Sequence, residues 1–436
     1  MKLYIYSIIF LGIEILYGSV KINMNIENDN SGGTTNTTIT NIEKIKQVSI
    51  ISKNADIMVK GVVSENIEIY GEYNFSGANL LDAVLVDVGK TIKSLETLKL
   101  DDILIETRRL EKLKEDKMEK LKKFEKKVKK LKSENEDIES KRKKFDKKTF
   151  SPMEVKSNGS MLIIQLGKGF TDEVEIKLPK SLSLAISSKS GTININGMEN
   201  EFIIDGSNIE TNIRRHRGVG TVLTKRGDVE VENYQGVLSL KSKIGDIIVN
   251  NASGSLNIKK FTGNVDINLF DGEIKSDMKH GDFTVHNSKF SLLSSKVGSG
   301  EVVIDKVKDS DNIDLTLNSG EIFIRNGVSK RISAYCGGGD ITFQNVSANL
   351  DLDINAGDIY IEKSYLPLSR DNYIKSKYGY VTLNFKNKDQ LKISESKYND
   401  EFNYSKYYSK DDLKIRNTET DNFMYIDINH GKISIK

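Results

Sequence analysis

The sequence predicts an all-β chain built as a single-stranded parallel β-solenoid, or β-helix, with coils of about 18 residues and an inserted α-helical hairpin or coiled-coil arm. Three observations carry this. Gly218, Gly227, Gly236, Gly245, Gly254, Gly263, Gly272 and Gly281 stand nine residues apart. Each opens a short segment whose third and fifth residues are aliphatic, as in Gly227-Asp228-Val229-Glu230-Val231 and Gly245-Asp246-Ile247-Ile248-Val249. A single block, 79–150, breaks the β pattern with helical periodicity.

The N-terminus reads Met1-Lys2, an apolar run from Leu3 to Leu16, then Tyr17-Gly18-Ser19. A positive start, a short apolar stretch and small residues form an export signal over 1–18. An uncleaved membrane anchor is the alternative, although the run is short for a full span. Residues 19–47, rich in Asn, Thr, Ser and Gly, read as a flexible leader.

Alternating residues such as Asp56-Ile57-Met58-Val59-Lys60 place an N-terminal β region over 48–78. In the block 79–150, Ile103, Leu110, Phe124, Leu131, Ile138 and Phe145 share one seven-residue register, interrupted at Lys117. Between Arg108 and Lys148 there are 19 basic and 10 acidic residues, against 46 and 52 in the rest of the chain. The excess positive charge therefore belongs to this arm. It fits anionic lipid headgroups or acidic polymers, or is simply the wet face of a helical hairpin. Strands resume at Met161 and at Val174-Glu175-Ile176-Lys177-Leu178-Pro179, so 151–190 completes the N-terminal cap.

Repeats fill 191–366. Two nine-residue units make one coil, and after Gly281 the Gly-acid pairs at Gly300, Gly320, Gly339 and Gly357 are spaced 19, 20, 19 and 18. Stacking at ~4.8 Å pairs every backbone with its neighbours. It also places Val229, Ile247, Val265, Phe283, Val302, Ile322, Ile341 and Ile359 in one internal ladder. Burial of each contributes about 1.5–3 kcal/mol. Open ladder ends invite aggregation and need covers. The tail 367–436, with eight of the chain's 17 tyrosines, is the C-terminal cap by this reading.

These residues resemble a known group, the β-solenoid domains described as bacterial adhesins and also catalogued as a domain of unknown function. The resemblance rests on Val174 to Pro179 running into Ser181-Leu182-Ser183-Leu184-Ala185-Ile186-Ser187-Ser188-Lys189-Ser190-Gly191-Thr192-Ile193-Asn194-Ile195, then the Gly-Asp-Ile-x-Val train. It covers roughly Val48 to Ile361 without the arm. It implies a right-handed solenoid and a cell-envelope setting, and supplies no ligand and no functional residues.

Candidate chemistry is sparse. Asp228, Asp246, Asp282, Glu301, Glu321, Asp340 and Asp358 form a column along one edge. Such carboxylates attract calcium, but short Asp side chains at turns more often bond turn amides. Arg226-Gly227-Asp228 is the one candidate binding motif, although the repeat already demands its Gly-Asp. His216, His280, His286 and His430 lack metal-ligand spacing. Cys336, the lone cysteine, takes the inward place that Leu317 holds one coil earlier, as a core hydrophobe. No catalytic, cofactor or metal residues are assigned.

The expected function is that of an exported, non-enzymatic binding scaffold of adhesin type. Its partners would be envelope polymers, anionic lipid or host surface molecules, not nucleic acid. An envelope-structural or lipid-interacting protein without a soluble ligand is one alternative. A polysaccharide-active β-helix enzyme is the other, on fold analogy alone.

Overall fold

The computed structural model describes residues 9–17, 20–28, 32–74, 153–167, 170, 173–387, 390–395, 407–409, 413–417 and 422–435. These form one continuous β-sheet wound into a solenoid. No α-helix occurs among them. The sequence reading of an all-β solenoid plus a helical arm is corrected to all-β: every described element is a strand or a connection, and 79–150 lies outside the described residues.

A single coil shows why the repeat folds as it does. Val229–Ile244 is one long strand, with Val229, Val231, Tyr234, Leu238 and Leu240 buried and Glu230, Glu232 and Gln235 turned outward. It is bent at Asn233 (φ 56°) and again at Gly236 (φ 134°), and closed at Gly245 (φ 122°). Each residue pairs in parallel with the one eighteen further on, Val229 with Ile247 and Leu240 with Ile258. The ladder expected from Val229 to Ile359 is continuous through eight coils, and every member is at most 1% exposed.

The glycines are demanded twice. Gly227, Gly245, Gly263, Gly281, Gly300, Gly320, Gly339 and Gly357 all have φ between 112° and 142°, a region an L side chain occupies only under strain. They also stack on one another: a Cβ on Gly263 would run into the carbonyl oxygen of Gly245 one coil below.

Six residues after each of these glycines comes a second left-handed corner, at Asn233, Asn251, Leu269, Asn287, Lys306, Asn326, Asn345 and Lys363. Asn tolerates this conformation best of the non-glycine residues. It also bonds along the column, Asn345 Nδ2 donating to Asn326 Oδ1 at 2.9 Å. All the extra residues of the longer coils fall between this corner and the next glycine, never in the six before it.

The first coils are not stacked in chain order. Met161–Leu166 and Val174–Pro179 form the outermost rung, Gln47–Asn54 and Ile57–Val62 the next, and Ser183–Asn196 the third. Residues expected as a flexible leader form a hairpin instead, Val20–Asn28 with Gly32–Thr40. Ile22 and Ile39 sit opposite each other and are fully buried. Ile9–Tyr17, within the expected export signal, pairs antiparallel with Val20–Asn28.

At the other end, the coils continue past 366 through Asn372–Phe385 and Phe423–Ile435. The tail is therefore two further coils plus a cap. Both ends are closed by antiparallel strands. Met153–Asn158 covers Met161–Leu166, and Ile67–Asn74 covers Val174–Pro179. Leu413–Asn417 and Tyr407–Ser409 cover the two halves of Phe423–Ile435. A reversed strand takes up the free ladder groups without offering a parallel edge to another copy.

Candidate functional site: a polar groove over the irregular coils

The outward side chains of a regular coil make a flat face. Between residues 290 and 375 the outward face carries a shallow, open groove, and the coils that line it include the longer ones. Extra residues enter at Ser291, within 306–310 between paired strands, and between Val328 and Arg331. The largest insertion precedes Asn372, where the rung from Asp351 to Tyr373 spans 22 residues. The groove encloses about 700 Å³, and Arg331 and Arg370 stand beside two of these insertions.

Its floor is two adjacent outward columns. One runs Ser294, Asp314, Ser333, Asp351, Tyr373. The other runs Lys296, Thr316, Tyr335, Asp353, Lys375. Arg331 and Arg370 reach in from the bulged corners. Arg331 Nε and Nη2 lie 2.9 and 2.7 Å from Asp351 Oδ2, and Arg370 Nη2 lies 2.5 Å from the same oxygen. Asp351 Oδ1 is buried and has no hydrogen-bond donor. At this exposure the ion pairs add little stability, but they fix both guanidinium groups over the floor. Buried Asn349 and Asn372 brace the Arg370 corner. Asn349 Nδ2 donates to Ser369 Oγ at 2.7 Å, and Asn372 Nδ2 to the Arg370 carbonyl at 2.7 Å.

The aromatic contribution is open to solvent. Tyr335 and Tyr373 are 40% and 44% exposed. Tyr373 stacks on Tyr425 of the next coil, with centroids 5.2 Å apart and rings 11° from parallel. Lys296, Asp314, Asp353 and Lys375 make no ion pair among the described residues. What the groove offers is a fixed set of donors, acceptors and rings.

The sequence-derived candidates lie elsewhere. Arg226 is exposed at the corner; Gly227 (φ 112°) is packed against the Ile209 carbonyl. Asp228 Oδ1 accepts the backbone N–H of Asp246 at 2.6 Å. The tripeptide is thus built into the rung, with its carboxylate already engaged. The acidic column behaves alike: Asp246 accepts from Asn264 N, Asp282 from Glu301 N and Asp340 from Asp358 N, at 2.7–2.9 Å. Each of these aspartates caps the coil above it. No group of three metal-binding side chains exists among the described residues.

Two polar side chains sit where the pattern places apolar ones. His216 is 2% exposed, edge-on to Phe202 and stacked on Tyr234. Burial pushes its pKa down to about 4, and the Asn200 backbone pulls weakly the other way without reaching hydrogen-bond geometry. Lys260 points inward between Ser242 and Met278, and its ammonium group donates to the Gly245 carbonyl. Burial lowers its pKa, opposed by Asp246 and Asp228. Cys336 is fully buried opposite Leu317, as its place in the repeat required.

Sequence reading missed Arg331, Tyr335, Asp351, Arg370 and Tyr373. The signal that marks them was present: the groove lies where the glycine spacing departs from eighteen. No helix among the described residues is long and apolar enough to cross a membrane. No curated protein and no solved structure matches the chain. Residues 271–436, which include the whole groove, match the family model described as Toastrack DUF4097, a domain of unknown function.

Proposed function

We propose that the protein is a non-enzymatic binding scaffold that holds an extended, polar partner in the groove between Ser294 and Lys375. The groove carries this reading, because it gathers arginine, carboxylate and exposed tyrosine side chains at fixed positions. Rigid solenoids suit such binding, since each coil contacts only its neighbours and side chains can vary on one face at little cost to the core. The signal-like residues 1–18 support an exported, envelope-facing setting, and adhesion is the cellular role consistent with both.

The purified chain on an array of glycans and matrix proteins tests the binding role, with the Arg331→Ala/Arg370→Ala variant alongside. Binding lost in the variant supports it; binding unchanged in the variant, or none at all, refutes it. Protease shaving of intact cells tests the setting: fragments released from the chain support export, and full protection until lysis refutes surface display.

A further inference from the structure

The floor of the groove says which polar partner it suits. Four cations (Lys296, Arg331, Arg370, Lys375) face three carboxylates (Asp314, Asp351, Asp353), so charge nearly cancels. A polyanion selects a surface of one sign, and this groove does not have one. Carboxylates accept hydroxyl protons, guanidinium and ammonium groups donate to hydroxyl oxygens, and Ser333 and Thr316 do both. Asp314 and Asp353 make no ion pair among the described residues, and Asp351 Oδ2 holds the two arginines in place. A partner rich in neutral hydroxyl groups matches every one of these.

The aromatic spacing adds a direction. Tyr335 and Tyr373 lie in adjacent columns two rungs apart, since Tyr335 pairs with Asp353 and Asp353 with Lys375, beside Tyr373. At ~4.8 Å per rung the separation along the solenoid axis is about 10 Å. That is the length of two sugar units in an extended β-linked chain. Tyr425 continues the same column one rung further. The exposed part of each ring, for Tyr373 its edge and the face turned away from Tyr425, offers sugar C–H groups a weakly polar contact.

We infer that the groove binds a neutral, linear, β-linked glycan. The glycan lies along the solenoid axis with alternate sugars beside Tyr335 and Tyr373, and its hydroxyl groups are shared between the free carboxylates of Asp314 and Asp353 and the two arginines. This rests on the reading of the groove as the binding face.

The test uses the full chain with cellohexaose, chitohexaose and xylohexaose as neutral probes, and polygalacturonate and hyaluronan as acidic ones, measured by calorimetry at 50 and 500 mM salt. At least one neutral hexasaccharide is expected to bind, with affinity changing less than about threefold across the salt range. Tyr335→Ala/Tyr373→Ala is expected to weaken it by about tenfold or more. These tyrosines are about half exposed, so unchanged thermal melting confirms that the variant is folded.

No neutral probe binding, or neutral binding that ignores the tyrosine pair, overturns the inference. Binding of acidic probes alone, lost in Arg331→Ala/Arg370→Ala, overturns it too while leaving the groove as the binding face. Binding of acidic probes that survives the arginine substitutions refutes both.

Discussion

Replacing three glycines by alanine separates two reasons for the glycine repeat. Gly338 has neither a positive φ nor any atom within reach of an added Cβ. Gly159 has φ 58° but open space around it. Gly263 has φ 113°, and its Cβ would collide with the Gly245 carbonyl and crowd Asp246 Oδ1. Gly338→Ala should be neutral or stabilising by up to ~1 kcal/mol, through the unfolded chain. Gly159→Ala should cost about 1 kcal/mol, the left-handed penalty alone. Gly263→Ala meets a harsher backbone penalty of about 1–3 kcal/mol. It must also push the coils of Gly245 and Gly263 apart where Asn264 N bonds Asp246 Oδ1 at 2.7 Å. That strained bond adds about 1 kcal/mol, for a total near ~3 kcal/mol. Urea unfolding ranks the variants, and amide exchange locates the damage, expected in Ile247–Thr262 and Val265–His280. If Gly263→Ala costs no more than Gly159→Ala, or if exchange rises evenly along the chain, stacked corners do not hold this solenoid together.

Three further outcomes follow from the interior and the ends. His216 is held neutral, with its pKa pushed from 6.5 to about 4. The unfolded chain therefore takes up a proton that the fold refuses: stability is unaffected above pH 6.5, falls by up to ~3 kcal/mol on acidification to about pH 4, and changes no further below. His216→Phe should remove that part of the acid sensitivity in melting curves taken from pH 7 to 4. A His216 imidazole that NMR shows to titrate near 6.5 would contradict it. Lys260, with its pKa lowered by burial, is penalised while charged, so the native chain should gain stability as the pH climbs through that lowered pKa towards lysine's usual value. Lys260→Met, copying Met278 one coil above, should melt no lower than the native chain at pH 7 and lose the alkaline gain; a clear loss at pH 7 would mean the Gly245 contact outweighs the burial of charge. Deleting 391–417 uncovers the edge of Phe423–Ile435. Light scattering should then show concentration-dependent association, and a strictly monomeric deletion variant would show that the cap is not what keeps copies apart.

Much of the fold was legible because a solenoid writes its geometry into the sequence at a fixed interval. Gly245 and Gly263 need the same φ for the same reason, and Ile247 and Val265 fill the same column, so a period of eighteen names corners and core together. Even the second corner was within reach, since Asn233, Asn251, Asn287, Asn326 and Asn345 each follow a corner glycine by six residues. The ends were less legible. The hairpin Val20–Asn28 with Gly32–Thr40 is rich in Thr and Asn and has no period to betray it; its strands exist because Ile22 and Ile39 meet a neighbouring surface. The out-of-order rungs, with Gln47–Asn54 lying between Met161–Leu166 and Ser183–Asn196, leave no mark in the sequence at all. Strands of equal pattern can stack in any order that closes the ladder.

By itself, then, the sequence determined the coil, its two glycine demands and the identity of the aliphatic ladder, because those interactions repeat at constant separation along the chain. Only the tertiary structure decided the groove. Arg331, Asp351 and Arg370 come from three successive rungs, 19 or 20 residues apart in the chain. Tyr335 and Tyr373, 38 residues apart in the chain, share one floor because the rungs stack them in adjacent columns. Irregular insertions show in a sequence as broken spacing, but where they push the neighbouring side chains depends on the rungs above and below.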